Sequence, residues 1–279
     1  YGGGLHSVAG SSLVIRDSEF TGNDAKYGGG ASILLSSTSG TVLIENSTLA
    51  QNTANITGLG NSGGILISGP NSLSLPVKIH NSTISSNTAA HYSGGIRAQS
   101  GAIVEIVNST ITKNNAPIEA GISSWGNVLV QIPPSVIPTE QNSLVTLQNS
   151  IVAENSNNTS IYNNLAGSFG ANSSYNLLGS VGNTTFTQTA LGNQVLTVGS
   201  FAGLAPLGDY GGPTRTHALL PGRPASNAGN TAATSITLDQ RGGTRKVGTI
   251  DIGAVESQTA LMMDIDGDHR KEEFQVIGQ

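Results

Sequence analysis

The sequence predicts an all-β protein, a right-handed parallel β-helix (solenoid) with an irregular C-terminal capping module. Three observations predict this fold: a short motif recurs five times, apolar residues occupy the same places around each copy, and the composition is unusual. Only 10% of the 279 residues are charged, 37 are glycine and none is cysteine, whereas ordinary globular domains are about one quarter charged. Asn, Ser and Thr together make up about three residues in ten.

The repeated motif is an Asn-Ser or Asp-Ser pair followed by a β-branched or apolar stretch. Its copies begin 29, 35, 27 and 41 residues apart, at Asp17, Asn46, Asn81, Asn108 and Asn149. A second set of asparagines follows six residues later, at Asn23, Asn52, Asn87, Asn114 and Asn155. A fixed motif at variable spacing indicates one constant wall with loops of different size. We interpret both sets as structural columns whose side chains hydrogen-bond from coil to coil.

The apolar residues around each motif alternate at period two, which is typical of strands rather than helices. In the second copy Val42, Ile44 and Leu49 lie four before, two before and three after the motif Asn46, and the other copies repeat this pattern. Further short strands follow the glycines, at 64–67, 95–98 and 121–123. Strands this short bury no face alone, so we expect them to stack coil upon coil.

The repeat weakens after about residue 160. We therefore divide the chain into β-helix repeats at 1–165, an end or cap module at 166–257 and a tail at 258–279. Tight turns in the module should be tied by charge-assisted hydrogen bonds from the charged side chains Asp239, Arg241, Arg245 and Asp251. His217 is interpreted as a buried, hydrogen-bonded histidine of the cap rather than a catalytic one.

The tail carries acidic residues at alternate positions, Asp264, Asp266 and Asp268, with Glu272 close behind. Oxygen ligands at such spacing suit Ca²⁺, so these four residues are the candidate metal site. The glycine falls at a different position from that of an EF-hand loop, which leaves two alternatives: a solvated acidic turn, or an exchanged strand. No other cofactor is expected.

Composition also bears on partners and chemistry. The net charge of −5 argues against nucleic-acid binding, which requires basic patches, and no apolar run is long enough for a transmembrane helix. When the repeats are aligned, charged residues at equivalent positions of neighbouring coils have opposite signs, and no two acidic residues are adjacent there. A polysaccharide-cleaving site would need such neighbouring carboxylates, so we expect no enzyme. A sugar-contacting patch is a candidate site, formed by His91, Tyr92 and Arg97 with Trp125 on the next coil.

The Gly-Gly-Ile and Asn-Ser-Thr-Ile signatures resemble those of short-repeat parallel β-helices of bacterial surface and autotransported proteins. Three later blocks resemble the end module of bacterial choice-of-anchor Q domain proteins: SSYNLLGS at 173–180, GLAPLGDYGGPTRTHALLPGRPASNAGN at 203–230 and LDQRGGTRKVGTIDIGAVE at 238–256. Tyr210 replaces a usual Asn and Val255 a common aromatic. The resemblance implies export and an extracellular or cell-surface location in bacteria.

We therefore expect a non-enzymatic structural protein, a rigid rod that presents loops at 55–63, 68–76 and 131–142. Because Tyr1 falls inside a repeat, the first coil could add to another copy end to end and build filaments. A missing upstream domain would explain the same start. The alternative is a carbohydrate-binding or carbohydrate-active protein of polysaccharide-lyase type. The expected partners are accordingly the protein itself or a cell-surface polysaccharide.

Overall fold

The computed structural model describes residues 1–36, 40–55, 62–69, 76–125, 142–157, 164–182, 184, 186, 190–197, 199–246, 248–257, 261–263 and 272–274. Within these residues the chain is almost entirely strand and turn. Two short 3₁₀ helices occur, at Ala190–Gly192 and Thr231–Ala233.

Four parallel sheets, here called A to D, run along the molecule, and each coil of the chain contributes one strand to a sheet. Sheet A contains β1 (Leu5–Ala9), β5 (Ala31–Leu35), β9 (Ile65–Ser68), β13 (Ile96–Gln99), β16 (Ile122–Ser124) and β19 (Leu165–Gly167). Sheet B contains β2 (Leu13–Arg16), β6 (Val42–Glu45), β10 (Val77–His80), β14 (Ile103–Val107) and β17 (Leu144–Gln148).

Sheet C contains β3 (Glu19–Thr21), β7 (Thr48–Ala50), β11 (Thr83–Ser85), β15 (Thr110–Thr112), β18 (Ile151–Ala153), β20 (Leu177–Leu178) and β21 (Gln194–Val195). Sheet D contains β4 (Asp24–Ala25), β8 (Thr53–Ala54) and β12 (Thr88–Ala89). Every pair of neighbours in these four sheets is parallel and comes from successive coils, so the predicted parallel β-helix is confirmed.

The core consists of like residues stacked on like. Ile44, Ile79 and Ile106 pair in register on consecutive strands of sheet B and are completely buried. Leu49, Ile84 and Ile111 do the same in sheet C. These are the positions at which the period-two pattern predicts inward-facing residues. Burial of a complete column of such side chains supplies the main stabilisation of the solenoid.

Each residue of the Asn-Ser-Thr-Ile motif has its own task at the corner between sheets B and C. In the third copy Asn81 adopts a left-handed conformation with φ of 44°, which Asn tolerates better than most residues. The hydroxyl of Ser82 accepts from the backbone N–H of Ser47 at 3.2 Å and donates to the carbonyl of His80 at 2.7 Å. Thr83 points out of sheet C, and Ile84 points into the core.

The second asparagine column forms the expected ladder. The side-chain oxygen of Asn87 accepts from both the backbone N–H (3.0 Å) and the side-chain amide (2.9 Å) of Asn52, and Asn87 in turn donates to Asn114. The same pair of bonds joins every step along the chain of residues Asn23, Asn52, Asn87, Asn114, Asn155 and Asn164. Each of these five steps satisfies amide groups that the stacking of coils removes from water, as burial requires.

The first asparagine column behaves differently from the prediction. Within the described part of the chain, only Asn81 and Asn46 of this column are joined side chain to side chain, at 3.3 Å. Asn81, Asn108 and Asn149 instead donate to Leu238, Thr234 and Asn230 of the C-terminal module. The left-handed backbone turns these amides outward, so they dock the module rather than form a continuous ladder.

Consecutive glycines form the corner before β1, β5, β9 and β13 of sheet A, and the single Gly121 does so before β16, because successive coils approach there too closely for a side chain. A Cβ atom on Gly95 would lie 2.5 Å from the carbonyl oxygen of Gly121 and 3.1 Å from the amide nitrogen of Asn114. A Cβ atom on Gly64 would lie 2.5 Å from the oxygen of Gly95. The glycines thus let the asparagine ladder lie directly beneath sheet A.

Parallel stacking continues beyond the boundary predicted at residue 165. Strands β20 and β21 extend sheet C. Asn176 and Asn193 continue the column of corner serines: the backbone N–H of Ser150 donates to Asn176 at 2.9 Å, and the side chain of Asn176 donates to Asn193 at 2.9 Å. Phe169, Val181 and Phe186 bury themselves against the last core residues. This extension was missed because residues 166–196 lack the Asn-Ser-Thr-Ile motif.

The rest of the C-terminal module is irregular, as predicted, but its described bonds run along the side of the rod. Arg215 reaches Glu19 of the first coil at 2.6 Å, Thr83 meets Gln240 on the third, and Asn149 of the fifth accepts from Asn230 at 2.8 Å. The segment therefore covers the outer face of sheet C over five coils, where that face presents mainly hydroxyl groups and a single carboxylate among these contacts.

The described residues of the tail form two short strands. Strands β22 (Leu261–Met263) and β23 (Glu272–Phe274) pair with each other in antiparallel fashion. None of the helices in the described part of the chain has the length and apolar character needed to cross a bilayer.

Candidate binding surface around Arg97 and Glu119

The structure brings together the four residues predicted as a sugar-contacting patch. Tyr92 precedes the glycine corner, and Arg97 faces outward from β13, with its guanidinium carbon 4.6 Å from the centre of the Tyr92 ring. His91 meets Tyr92 edge to face, with ring centroids 4.1 Å apart. Trp125 follows β16 on the next coil, where its backbone N–H donates to the carbonyl of Ala98 at 3.1 Å.

Glu119, which sequence reasoning missed, joins these residues into one cluster. Its carboxylate accepts from the indole N–H of Trp125 at 2.6 Å and lies 3.7 Å from a terminal nitrogen of Arg97. Glu119 has φ of 60°, at the corner position that Ser93 occupies one coil earlier with φ of 45°. An acidic residue at a position where other coils place Gly or Ser was the signal that could have identified it.

Burial shapes the electrostatics of this cluster. Desolvation raises the pKa of Glu119, while nearby Arg97 and the hydrogen bond from Trp125 oppose that rise. Desolvation likewise lowers the pKa of Arg97, which is 9% exposed. Arg97 also donates through Nε to Gln99 at 3.1 Å. The result is an oppositely charged pair held beside an exposed indole, since Trp125 retains 36% of its surface.

A second group of charged side chains lies inside the C-terminal module. Arg241 binds Asp239 through two nitrogens, at 3.0 and 2.8 Å, and the backbone N–H of Glu256 donates to the same carboxylate at 3.0 Å. Arg245 is fully buried and donates to the carbonyl of Ala254 at 2.8 Å and to Asn81 at 3.2 Å. These bonds tie the turns together as predicted and fasten them to the β-helix.

Two titratable groups of the module have strongly shifted pKa values. Burial raises the pKa of Glu256 to about 7, and burial lowers the pKa of His217 to about 4. Nδ1 of His217 lies 2.7 Å from the carbonyl of Ala205, and Nε2 lies 2.8 Å from the hydroxyl of Ser85. Because a carbonyl only accepts, Nδ1 carries the proton and Nε2 accepts from Ser85. His217 is therefore a buried structural histidine.

Three of the predicted calcium ligands, Asp264, Asp266 and Asp268, lie outside the described residues. The fourth, Glu272, falls on β23, opposite Met263 in the hairpin register. Among the described residues, no group of three or more His, Asp or Glu side chains is placed to hold a metal ion.

Comparison of the chain with protein-family models, with curated proteins and with solved structures gave no match in any of the three.

Proposed function

We propose that this protein is a rigid structural rod of the bacterial cell surface or extracellular space. The observation that carries the proposal is the pairing of a continuous internal ladder with an external brace. The asparagine amides join the coils from within, while the C-terminal module spans five coils from outside. Both devices resist sliding or parting of neighbouring coils, which is the property a load-bearing or spacing element needs.

The chemistry of the module supports this role. Its carboxylates and guanidinium groups are directed to one another and to backbone groups, as Asp239, Arg241 and Arg245 show. The outer threonines of sheet C are likewise bonded to Gln240 and its neighbours. The resemblance of these blocks to the choice-of-anchor Q module supports the surface or extracellular location.

Sheet geometry supports addition of one copy to another. In sheet C the outermost strands, β3 and β21, each pair on one side only among the described residues. Unpaired strand edges accept further strands, and joining unlike ends of identical copies builds open filaments. In the proposal, rods thus extend by stacking β3 of one copy upon β21 of the next.

Negative-stain microscopy of the purified chain tests the rod and its assembly. We expect elongated particles, with longer filaments at higher protein concentration. Val195→Lys, which places a charge on the edge strand β21 at a residue 39% exposed, should shorten the filaments. Leu238→Lys is the control, since Leu238 is 49% exposed but lies on the module. Compact particles would contradict the rod, and uniform monomers in the unmodified protein would contradict assembly.

A further inference from the structure

An aromatic column runs along one edge of the rod, beside sheet A. Tyr1, Tyr27 and Tyr92 each stand four residues before a strand of sheet A, and these strands are aligned in register. The rings of Tyr1 and Tyr27 are in contact, with centroids 5.5 Å apart. On the coil after Tyr92 the equivalent residue is Ile118, bridged to it directly, and Trp125 follows on the same coil.

Polar groups accompany the aromatic faces at two places among the described coils: His6 stacks on Tyr1 with ring centroids 5.0 Å apart, and the oppositely charged Arg97 and Glu119 lie between Tyr92 and Trp125. The separation of 3.7 Å between Arg97 Nη1 and the carboxylate of Glu119 exceeds a hydrogen bond. Nη1 of Arg97 is buried and donates no hydrogen bond among the described residues. A ligand hydroxyl that displaces a covering side chain can accept from this nitrogen, and a buried donor gains from being satisfied.

We propose that Tyr92, Arg97, Glu119 and Trp125 bind a neutral polysaccharide that lies along the rod axis. A sugar ring offers an apolar C–H face, which packs on an aromatic ring, and a rim of hydroxyls, which accept from a guanidinium and donate to a carboxylate. The site pairs one cation with one anion, so it matches an uncharged ligand better than an acidic one. A linear polymer suits the column because four of the first five coils carry an aromatic residue and the coils are spaced about 4.8 Å apart.

The chain contains one tryptophan, so intrinsic tryptophan fluorescence reports on Trp125 alone. We would titrate the protein with three soluble neutral polysaccharides, laminarin, dextran and galactomannan, and with alginate as an acidic one. Native affinity electrophoresis in gels containing the same polysaccharides gives a second readout. At least one neutral polysaccharide should shift the emission of Trp125 and retard migration, whereas alginate should do neither.

Variants locate the binding on the proposed surface. Trp125→Ala and Tyr92→Ala should each weaken retardation about tenfold, since a few aromatic anchors carry most of a binding energy, and Tyr27→Ala should weaken it by a smaller factor. Phe201→Ala is the matched control, because Phe201 is 63% exposed and lies outside sheet A. Thermal unfolding of each variant separates lost binding from lost folding, and Arg97→Lys, which keeps the charge, replaces any variant that does not fold.

The proposal is overturned if no neutral polysaccharide binds, if only alginate binds, or if folded variants at Tyr92, Arg97 and Trp125 bind like the unmodified protein. Unchanged binding by Tyr27→Ala overturns the axial path of the ligand. None of these outcomes bears on the structural rod, which is tested by particle shape.

Discussion

At the scale of single residues, the asparagine ladder concentrates the stability of the rod in a few amides. Asn87 is fully buried and takes part in bonds to Asn52, Leu49 and Asn114. Its amide supplies both donor hydrogens and an acceptor that serves two donors. No other side chain of that size offers both functions, so the position tolerates little change.

We predict that Asn87→Ala lowers the free energy of unfolding by roughly 2–4 kcal/mol, because several buried groups lose their partners at once. Urea unfolding followed by circular dichroism measures the change. Asn55→Ala is the control, since Asn55 is exposed and its amide meets only Asp24 at 2.5 Å among the described bonds. Equal stability of the two variants would show that the ladder contributes little.

Glu256 should make the stability of the module depend on pH. Its folded pKa of about 7 lies above the ordinary value, so between about pH 4.5 and 7 the folded state binds more protons than the unfolded state. The stabilisation that Glu256 contributes is therefore complete below about pH 4.5 and is lost as the pH rises from about 4.5 to 7. His217, whose pKa is lowered to about 4, acts oppositely below pH 6.5, where stability falls as pH falls.

Glu256→Gln mimics the protonated carboxyl, so the variant should gain melting temperature relative to the unmodified protein as pH rises from 5 to 8. Differential scanning calorimetry at pH 5, 6.5 and 8 measures this difference. His217→Gln serves as the comparison, because its difference from the unmodified protein should vary only below about pH 6.5. A pH-independent effect of Glu256→Gln would contradict the raised pKa.

Individual contacts were predictable only where the repeat register decides them. The register places Arg16 opposite Glu45, and the two form an ion pair. Lys78 lies opposite Glu105 in the register, but the side chain that approaches the Glu105 carboxylate, at 3.6 Å, is that of His80, whose pKa is lowered by burial. The carboxylate of Glu154 accepts a hydrogen bond from the backbone N–H of Ala202 at 2.9 Å. Ala202 lies in the C-terminal module, so alignment of the repeats does not predict this contact.

At the scale of elements, the glycine corners decide how closely the coils stack. The backbone of Gly95 is not left-handed; glycine is required at this position because a Cβ atom would have no space. Gly22 is the reverse case, with φ of 66° and nothing near an added Cβ atom. The two positions therefore separate crowding from backbone strain.

We expect Gly95→Ala to destabilise the protein by about 1–3 kcal/mol through crowding against Gly121 and the ladder. Gly22→Ala should cost about 1–2 kcal/mol from the left-handed conformation alone. Crystal structures of the variants provide the decisive measurement: only Gly95→Ala should shift the neighbouring coil. An undisturbed coil in Gly95→Ala would refute the crowding argument.

The strands themselves were predictable because their apolar residues alternate and recur at each motif. Val42, Ile44 and Leu49 fall where expected, and so do the strands after the glycines, β9, β13 and β16. Strands β20 and β21 escaped prediction, since Leu177-Leu178 and Gln194-Val195 are two-residue segments without the motif. Their place in sheet C depends on the pairing of β20 with β18 and of β21 with β20 rather than on any local pattern.

At the scale of the whole molecule, the C-terminal module buries the outer face of sheet C. Thr83 donates to Gln240 at 2.6 Å and contacts the hydroxyl of Thr216 at 2.8 Å. These partners lie more than 130 residues away in an irregular segment. Periodicity carries no information about such a segment, which is why the module was expected to cap the end rather than cover the side.

A matched pair of variants tests this docking. Thr83→Val leaves Gln240 and Thr216 without their partner and should cost about 1–3 kcal/mol. Thr112→Val, on the same sheet, changes a buried hydroxyl that makes no hydrogen bond among the described residues, and should cost little. Hydrogen exchange at residues 214–218 and 238–241 should quicken only in Thr83→Val. Equal behaviour of the two variants would contradict a hydrogen-bonded docking face.

The asparagine ladder also gives the molecule a direction. In each of the five bonds between side-chain amides from Asn23 to Asn164 the earlier coil donates and the later coil accepts, and the bonds to the corner serines repeat the same sense. Aligned dipoles of this kind add rather than cancel, as they do along a helix. The two extremities of the column therefore differ in polarity, so a copy that continued the column would have to adopt the same orientation. An inverted copy would place donor against donor at one extremity or acceptor against acceptor at the other.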